Sequence, residues 1–406
     1  MQRPVFSQQQ PGVNGVPSRR GFLRIAGIGA AALAGACAPA AAPAAPGAAS
    51  GAPAGSGSAP SGPSKQAWEQ EWDDLVAAAK REGKVDIAWI LGPAGGYQKA
   101  VDDFMKSFPG IEPGLTIQPS GSIMVPKILA EHNAGVYSYD LVFTSSTFME
   151  PMLAVGGVQP IKPLITRPDV IDDTKWREGF VAGWTDPQKQ FGYGYSVTAP
   201  KFFWMNTDLV KGEEVKTAAD LLNPKWRVRM ILADPRSGYT YAAATALRLN
   251  LGDDYLRKLF GDQKPVFSRD NRQITEAMVK GQYAIATGVP VQILDEFKAQ
   301  GLGKNLKVFT VPEAEHINYN HQLWMLKKPS HPNSARVFMN WLLTKEGQTA
   351  YVGSTRENSR RTDVPQGDPD TAPQPGKKYL FLSGNLAMND ELAKTQKLGQ
   401  DIAGLQ

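Results

Sequence analysis

Between Lys84 and Gly157 one unit repeats: a short apolar strand, a turn rich in glycine, serine or threonine, then a helix with one apolar face. "KVDIAWI" alternates as a strand, and "GPAGGY" turns the chain into a helix whose inner face is Ala100, Val101, Phe104, Met105 and Phe108. "LTIQ" meets "PSGS" and the helix "IMVPKILAEHN", and "YDLVFTSS" leads into the helical "TFMEPMLAVGG". A helix opens the series. Trp68, Trp72, Leu75, Val76 and Ala79 share a face at a 3.6-residue period, and Gly83 stands where a C-cap glycine belongs. Strands separated by helices return to the sheet in the same direction, so the pattern predicts an α/β domain with a mostly parallel sheet.

A second region begins near Tyr193. "YSVTAPKFFWMN" reads as a strand, "TAADLLNPKW" as a short helix and turn, and "VRMILADPRSG" as a strand entering a loop. "YTYAAATALRLNL", "YLRKLF" and "RDNRQITEAMVKG" are helical, and "YAIATG" is a strand. "LKVFTVP" and "HQLWMLKK" read as a return to the first sheet. "PNSARVFMNWLLTKEGQTAYV" reads as one amphipathic helix with Ala335, Val337, Phe338, Trp341 and Leu342 on its apolar face. No solenoid period is present, and the expected architecture is two α/β lobes with the chain crossing between them more than once.

Composition narrows the function. The chain has 406 residues, a single cysteine and a net charge of +5. One cysteine excludes an internal disulfide, a CxxC redox pair and a multi-thiolate zinc site. Basic residues are scattered among acids, which argues against nucleic-acid binding. His132, His316, His321 and His331 have no close ligand spacing and read as surface or supporting residues, with no metal expected. "GIGAAA" fits a dinucleotide fingerprint formally, but no strand precedes it. Neither a GxSxG elbow nor a Walker A loop occurs, so no catalytic residue and no cofactor are expected.

The N-terminus has its own logic. "SRRGFLRIAGIGAAALAGAC" places Arg19-Arg20 before an apolar run too short to span a bilayer, the form of an export signal. It resembles the twin-arginine type. Ala34-Gly35-Ala36-Cys37 looks like a lipoprotein cleavage box, in which Cys37 carries the lipid. Residues 38–66 are Ala, Pro, Gly and Ser up to the closing Lys65-Gln66, a flexible tether. The expected divisions are a signal at 1–37, a linker at 38–66, a first lobe from 67–193 with 308–406, and a second lobe at 194–307.

The blocks "LVAAAKREGKVDIAWI", "YDLVFTSSTFMEPMLAVGGVQPI", "FFWMNTDLV", "KTAADLLNPKWRVRMILADPRSG" and "PSHPNSARVFMNWLLTKEGQTAYV" resemble extracellular solute-binding proteins of ABC importers (family 1). The nearest branch contains ferric-iron, thiamine and phosphonate binders, and the likeness runs from about Trp68 to about Pro365. It implies a type II periplasmic-binding fold, α/β, with two lobes, crossover strands and an interlobe cleft. It also implies a small-molecule solute, a membrane permease with its ATPase as partners, and a place at the outer face of the cytoplasmic membrane or in the periplasm. The chain is expected to be a monomer that meets the membrane only through its lipid anchor.

In parallel sheets the strand C-terminal ends face the ligand. Four loops fit that position: Gly92–Gly96; Ser120, Gly121 and Ser122; Thr144, Ser145 and Ser146; and Arg236, Ser237, Gly238 and Tyr239. Serine and threonine there also serve as helix N-caps. Arg236 suits an anion because its planar guanidinium grips a carboxylate or phosphonate with two hydrogen bonds. Tyr195 and Tyr319 are further candidate contacts. Iron-binding members resemble one another in an adjacent tyrosine pair, but Val289-Pro290-Val291-Gln292 stands in its place here. A small polar, anionic organic solute is therefore expected, with ferric iron as the alternative and an exported enzyme behind both.

Overall fold

The computed structural model describes residues 66–90, 96–211, 214–236 and 238–405. The export signal, Cys37 and nearly all of the linker lie outside the described residues, as does most of the Gly92–Gly96 loop. The chain runs through α1 (Ala67–Glu82), β1 (Lys84–Ile90), α2 (Gln98–Ser107), β2 (Glu112–Gln118), α3 (Gly121–Asn133), β3 (Leu141–Phe143), α4 (Ser146–Ala154), β4 (Val158–Gln159), α5 (Pro168–Ile171) and β5 (Tyr193–Gly194). It then crosses to β6 (Phe203–Asn206), β7 (Met230–Ala233), α6 (Gly238–Leu251), α7 (Asp253–Leu256), β8 (Val266–Ser268), α8 (Asn271–Val279), β9 (Ile285–Ala286), α9 (Val291–Ala299) and β10 (Leu306–Phe309). It returns through β11 (His316–Ile317) to β12 (Gln322–Leu326), α10 (Pro332–Leu342), α11 (Lys345–Thr355), β13 (Leu380–Phe381) and α12 (Asn389–Ala403).

Two sheets result. The first has the order β2-β1-β3-β12-β4, with β5 also on β12. Its β1, β2 and β3 are parallel, and β12 is antiparallel to its neighbours. The second has the order β10-β6-β9-β7-β8, with β7 parallel to β8 and β9. "LKVFTVP" therefore does not return to the first sheet. It forms β10, an antiparallel edge strand on β6 of the second.

The period of two along a strand explains why each sheet is covered on both faces. Val85, Ile87 and Trp89 of β1, with Leu141 and Phe143 of β3, join a core built with α1, α2, α10 and α11. The alternate residues Ala88, Val142 and Trp324 pack instead on α3 and α4 through Met124, Ile128, Met149 and Met152. The second sheet repeats this. Met230, Leu232 and Ile285 face one core, and Ile231, Ala233 and Ala286 face another with Ile274 and Leu294.

The stretch read as one long helix is two, α10 and α11. Thr344 breaks it, because its hydroxyl accepts from Gly347 N at 3.0 Å and caps the second helix. Gly347 has no room for a side chain, since a Cβ there would overlap Trp341 O. All five apolar-face residues named for this stretch are buried as expected.

Two crossover segments join the sheets, and they are bridged to each other at Thr198 and Asn318. The bridge has paired bonds of 3.0 and 2.9 Å. β13 adds itself parallel to β11 on the return crossover. Beyond it α12, in the span assigned to the first lobe, packs on α6 beside the second sheet. There Leu392 meets Ala242 and Ala246, and Arg248 pairs with Glu391.

His316, expected at the surface or in a supporting role, is buried on β11. Its Nδ1–H donates to Ala314 O at 2.8 Å, and Nε2 has no partner among the described residues. Burial lowers its pKa from 6.5 to about 4. The unfolded chain therefore takes up this proton first, so the contribution is whole above about pH 6.5 and lost as pH falls towards 4. The loss amounts to about 3 kcal/mol. His316→Asn keeps the donor and removes the basic nitrogen. Its urea midpoint is expected to fall less than the wild type's between about pH 7 and pH 4.5; equal falls would deny His316 this role.

Candidate functional site

The parallel strands deliver their following loops to one edge of each sheet. On the first sheet, β2 runs into Ser120, which stands at the N-cap of α3 in extended conformation. Ser120 and Ser122 bring their hydroxyls within 2.7 Å of each other. The N–H groups of Gly121 and Ser122 have no partner among the described residues, so they carry the positive end of α3. Gly121 lies between α3 and α4. A Cβ there would overlap Thr144 Oγ1 and the Phe148 ring, so only glycine lets the two helix starts meet.

The β3 loop is more committed. Ser145 caps α4 by accepting from Thr147 N, and Ser146 N donates to Gln322 Oε1 at 2.8 Å. Thr144 is buried, and its hydroxyl makes no hydrogen bond among the described residues. Of the hydroxyls named on the first sheet, Ser122 is exposed and Ser120 half-buried, whereas Thr144, Ser145 and Ser146 are buried.

On the second sheet, β7 ends at the buried Asp234. Arg236 clasps it, with Nε 2.9 Å from Oδ1 and Nη2 2.6 Å from Oδ2. These bonds outweigh burial and hold the Asp234 carboxyl below its ordinary range. Arg269, at the end of the adjacent β8, also reaches Asp234 Oδ2, at 3.3 Å. Ser237 lies outside the described residues. Gly238 and Tyr239 begin α6, but their side chains also lie outside the description.

Tyr195 and Tyr319 are interior. Tyr195 packs edge-on to Phe143 and Tyr351 at 5.9 and 5.0 Å, and Tyr319 lies 4.0 Å from the Phe381 ring. Burial pushes the Tyr195 phenol well above its ordinary pKa. Strand alternation with Tyr193 was the signal for this packing. Neither tyrosine joins the strand-end loops in this conformation.

Three contributors escaped the sequence reading. Asp234 and Arg269 sit in loops but meet only once β7 and β8 pair. Gln322 reaches the α4 start from β12, 176 residues further along the chain. His321 is also interior, with Nδ1 2.7 Å from Glu357 Oε2 and from the Tyr351 hydroxyl. His331 bonds Asp140 at 2.9 Å near the N-terminal ends of β1 and β3, away from the strand-end loops. Asp86 completes that group of potential metal ligands. Its acceptors are occupied by backbone N–H groups and by Lys84.

A cavity of about 880 Å3 opens elsewhere, between Trp176–Glu178 and the 359–379 loop. Its arginines are taken. Arg177 donates to Pro373 O and Gln374 O, and Arg361 pairs with Asp363.

Residues 99–376 match the family described as bacterial extracellular solute-binding protein. A sequence search of curated proteins finds no match. Solved structures with similar folds include FutA (IdiA) from Trichodesmium in complex with iron and citrate, at 17% identity and TM-score 0.60, covering 80% of this chain and 100% of that one. Iron-bound HitA from Pseudomonas aeruginosa is 18% identical with TM-score 0.56, covering 78% and 99%. AfuA from Actinobacillus pleuropneumoniae with fructose-6-phosphate is 17% identical with TM-score 0.52, covering 80% and 99%. The common fold is that of the periplasmic binding proteins: two α/β lobes, crossover strands and an interlobe cleft.

Gly121→Val should force α3 away from α4. Overpacking of this kind costs about 1–3 kcal/mol, read as a lower denaturation midpoint. An unchanged midpoint would mean that the two helix starts are not in contact.

Proposed function

The chain belongs to the bacterial extracellular solute-binding proteins, the substrate-binding components of ABC importers, and from that premise we propose that its solute is a small polar anion. The solute is an organic oxyanion, captured between the lobes by hinge closure and handed to the permease. The observation that carries this reading is the chemistry at the strand ends. One sheet presents the Ser120 and Ser122 hydroxyls at the positive start of α3, and the other presents two arginines around one carboxylate. The exposed guanidinium of Arg269 and the open N–H groups at the start of α3 favour an anion.

Closure is driven by a solute that contacts both lobes at once, since a ligand shifts an equilibrium only by its differential affinity for the two states. The contacts proposed are Ser120, Gly121, Ser122, Thr144 and Ser145 from the first lobe, and Ser237, Gly238 and Tyr239, beside the Arg236 clasp on Asp234, from the second. Buried Tyr195 and Tyr319 are proposed to support the crossover side of the cleft rather than touch the solute. Ferric iron is disfavoured because Val289-Pro290-Val291-Gln292 stands in place of a tyrosine pair, and because burial holds the Tyr195 phenol well above its ordinary pKa. The receptor is not an enzyme, works as a monomer and stands outside the cytoplasmic membrane.

A thermal-shift screen of carboxylates, phosphate esters, phosphonates, amines, thiamine-like cations and ferric iron tests the reading. Oxyanions should stabilise the protein by about 2.7 kcal/mol at a hundredfold excess over Kd. A response confined to cations or iron, or turnover of the ligand, would reject it. The anchor is tested separately. Cys37→Ser should move the exported protein from the membrane fraction to the soluble one, and unchanged membrane retention would reject lipidation at Cys37.

A further inference from the structure

The two arginines beside Asp234 are not equivalent. Arg236 lies against the carboxylate with both Nε and Nη2, and its side chain is 25% exposed. Arg269 gives Asp234 only its Nε, at 3.3 Å, and its side chain is 64% exposed. No other hydrogen bond or ion pair engages Arg269 among the described residues. Its two terminal nitrogens thus remain as an outward fork.

The backbone that carries this fork is firmly held. β8 pairs with β7 in the register Ala233 to Ser268, so Asp234 and Arg269 follow side by side on adjacent parallel strands. Asp234 N donates to Ser268 O at 2.9 Å. On the other side Asp270 caps α8, accepting from Arg272 N at 2.8 Å and Gln273 N at 3.1 Å. Ser268 Oγ closes the turn by accepting from Asp270 N at 3.1 Å and donating to Gln273 Oε1 at 2.6 Å.

We infer that Arg269 is the residue with which the second lobe grips its solute, and that Arg236 is a positioning residue that fixes Asp234 beneath it. The inference rests on the reading that the solute is an oxyanion held at the strand ends. A guanidinium anchored through Nε presents its terminal N–H groups in the plane and spacing of a carboxylate or a phosphoryl group. Pre-set orientation lowers the ordering cost of binding, which a long free side chain would otherwise bear. An exposed arginine that only paired with Asp234 would add little to stability and nothing to solute affinity.

The test begins with the purified wild type titrated with succinate, citrate, glycerol 3-phosphate and methylphosphonate by calorimetry. Arg269→Ala should weaken the best of these about tenfold or more, with the unfolding midpoint of the free protein unchanged. Should that variant fail to fold, R269Q reads the same loss. The lysine variants separate the roles. R269K should stay weak, because an ammonium cannot fork, whereas R236K should bind nearly as the wild type does, because it keeps a charge on Asp234. The preferred probe distinguishes a carboxylate solute from a phosphoryl one. If the wild type binds none of the four, the oxyanion reading falls and the role of Arg269 with it. If the wild type binds and R269A binds equally well, the role of Arg269 alone is overturned, and the same holds if only the Arg236 variants lose affinity.

Discussion

The side-chain amide of Gln322 makes all four hydrogen bonds open to such a group, and each goes to a different part of the chain. Its oxygen accepts from Ser146 N at 2.8 Å and Thr185 Oγ1 at 2.9 Å. Its nitrogen donates to Tyr319 O at 3.0 Å and Gly384 O at 2.8 Å. A buried donor or acceptor left unpaired costs about 1–3 kcal/mol. This junction therefore binds the α4 start, the segment before β5, the return crossover and the C-terminal tail with more authority than any surface contact. Gly384 is part of it. Its φ is +87°, and a Cβ there would overlap the Gln322 amide.

From that junction the tail spreads over both sheets. Ser383 N donates to Asn318 Oδ1 on the return crossover, and Leu386 N donates to Thr185 O. Asn389 then bonds Glu150 of α4 at 2.9 Å, while the rest of α12 lies on α6. Gly399 packs on Pro235, next to the Asp234 turn. A hinge motion at the Thr198–Asn318 bridge must therefore rearrange contacts of the tail as well as the crossovers. This stretch lies beyond the part of the chain that resembles the family, so the resemblance gave no guide to it.

Where the chain's own periodicity sets the structure, the sequence was readable. β1 matches "KVDIAWI" residue for residue, and Gly83 takes the left-handed C-cap that ends α1. The α10–α11 break was missed because Thr344 and Gly347 act through one cap and one close approach, neither of which interrupts an apolar face. β10 was misplaced because an edge strand carries no mark of which sheet it joins. The site was legible as loops and illegible as partners. "ADPRSG" announces a strand-end turn, but nothing local shows that Asp234 would bind both Arg236 and Arg269. Serines 145 and 146 read equally as caps and contacts, and the cap assignment of Ser145 became visible only with Thr147 N in place.

The distribution of charge follows from the same economy of partners. Burial would push the Glu357 carboxyl upward, but the charge of His321 and hydrogen bonds from His321, Tyr351 and Ser196 outweigh it and hold it below its ordinary range. Arg361 is matched by Asp363. Arg360, fully buried, has no carboxylate in ion-pair range among the described residues. It is solvated by the carbonyls of Arg177, Gly179 and Gly194, and by the ring faces of Trp176, Tyr193 and Tyr319 at 5.0–5.8 Å. These interior cations are thus held by the protein's own groups, although Arg360 Nε has no partner among the described residues. At the end of β7 and β8 the arithmetic differs, because one buried carboxylate is shared by two guanidiniums and one of those extends into solvent. An exposed guanidinium held in place at that edge is what a receptor for anions needs, and the scaffold around it has committed its buried charges elsewhere.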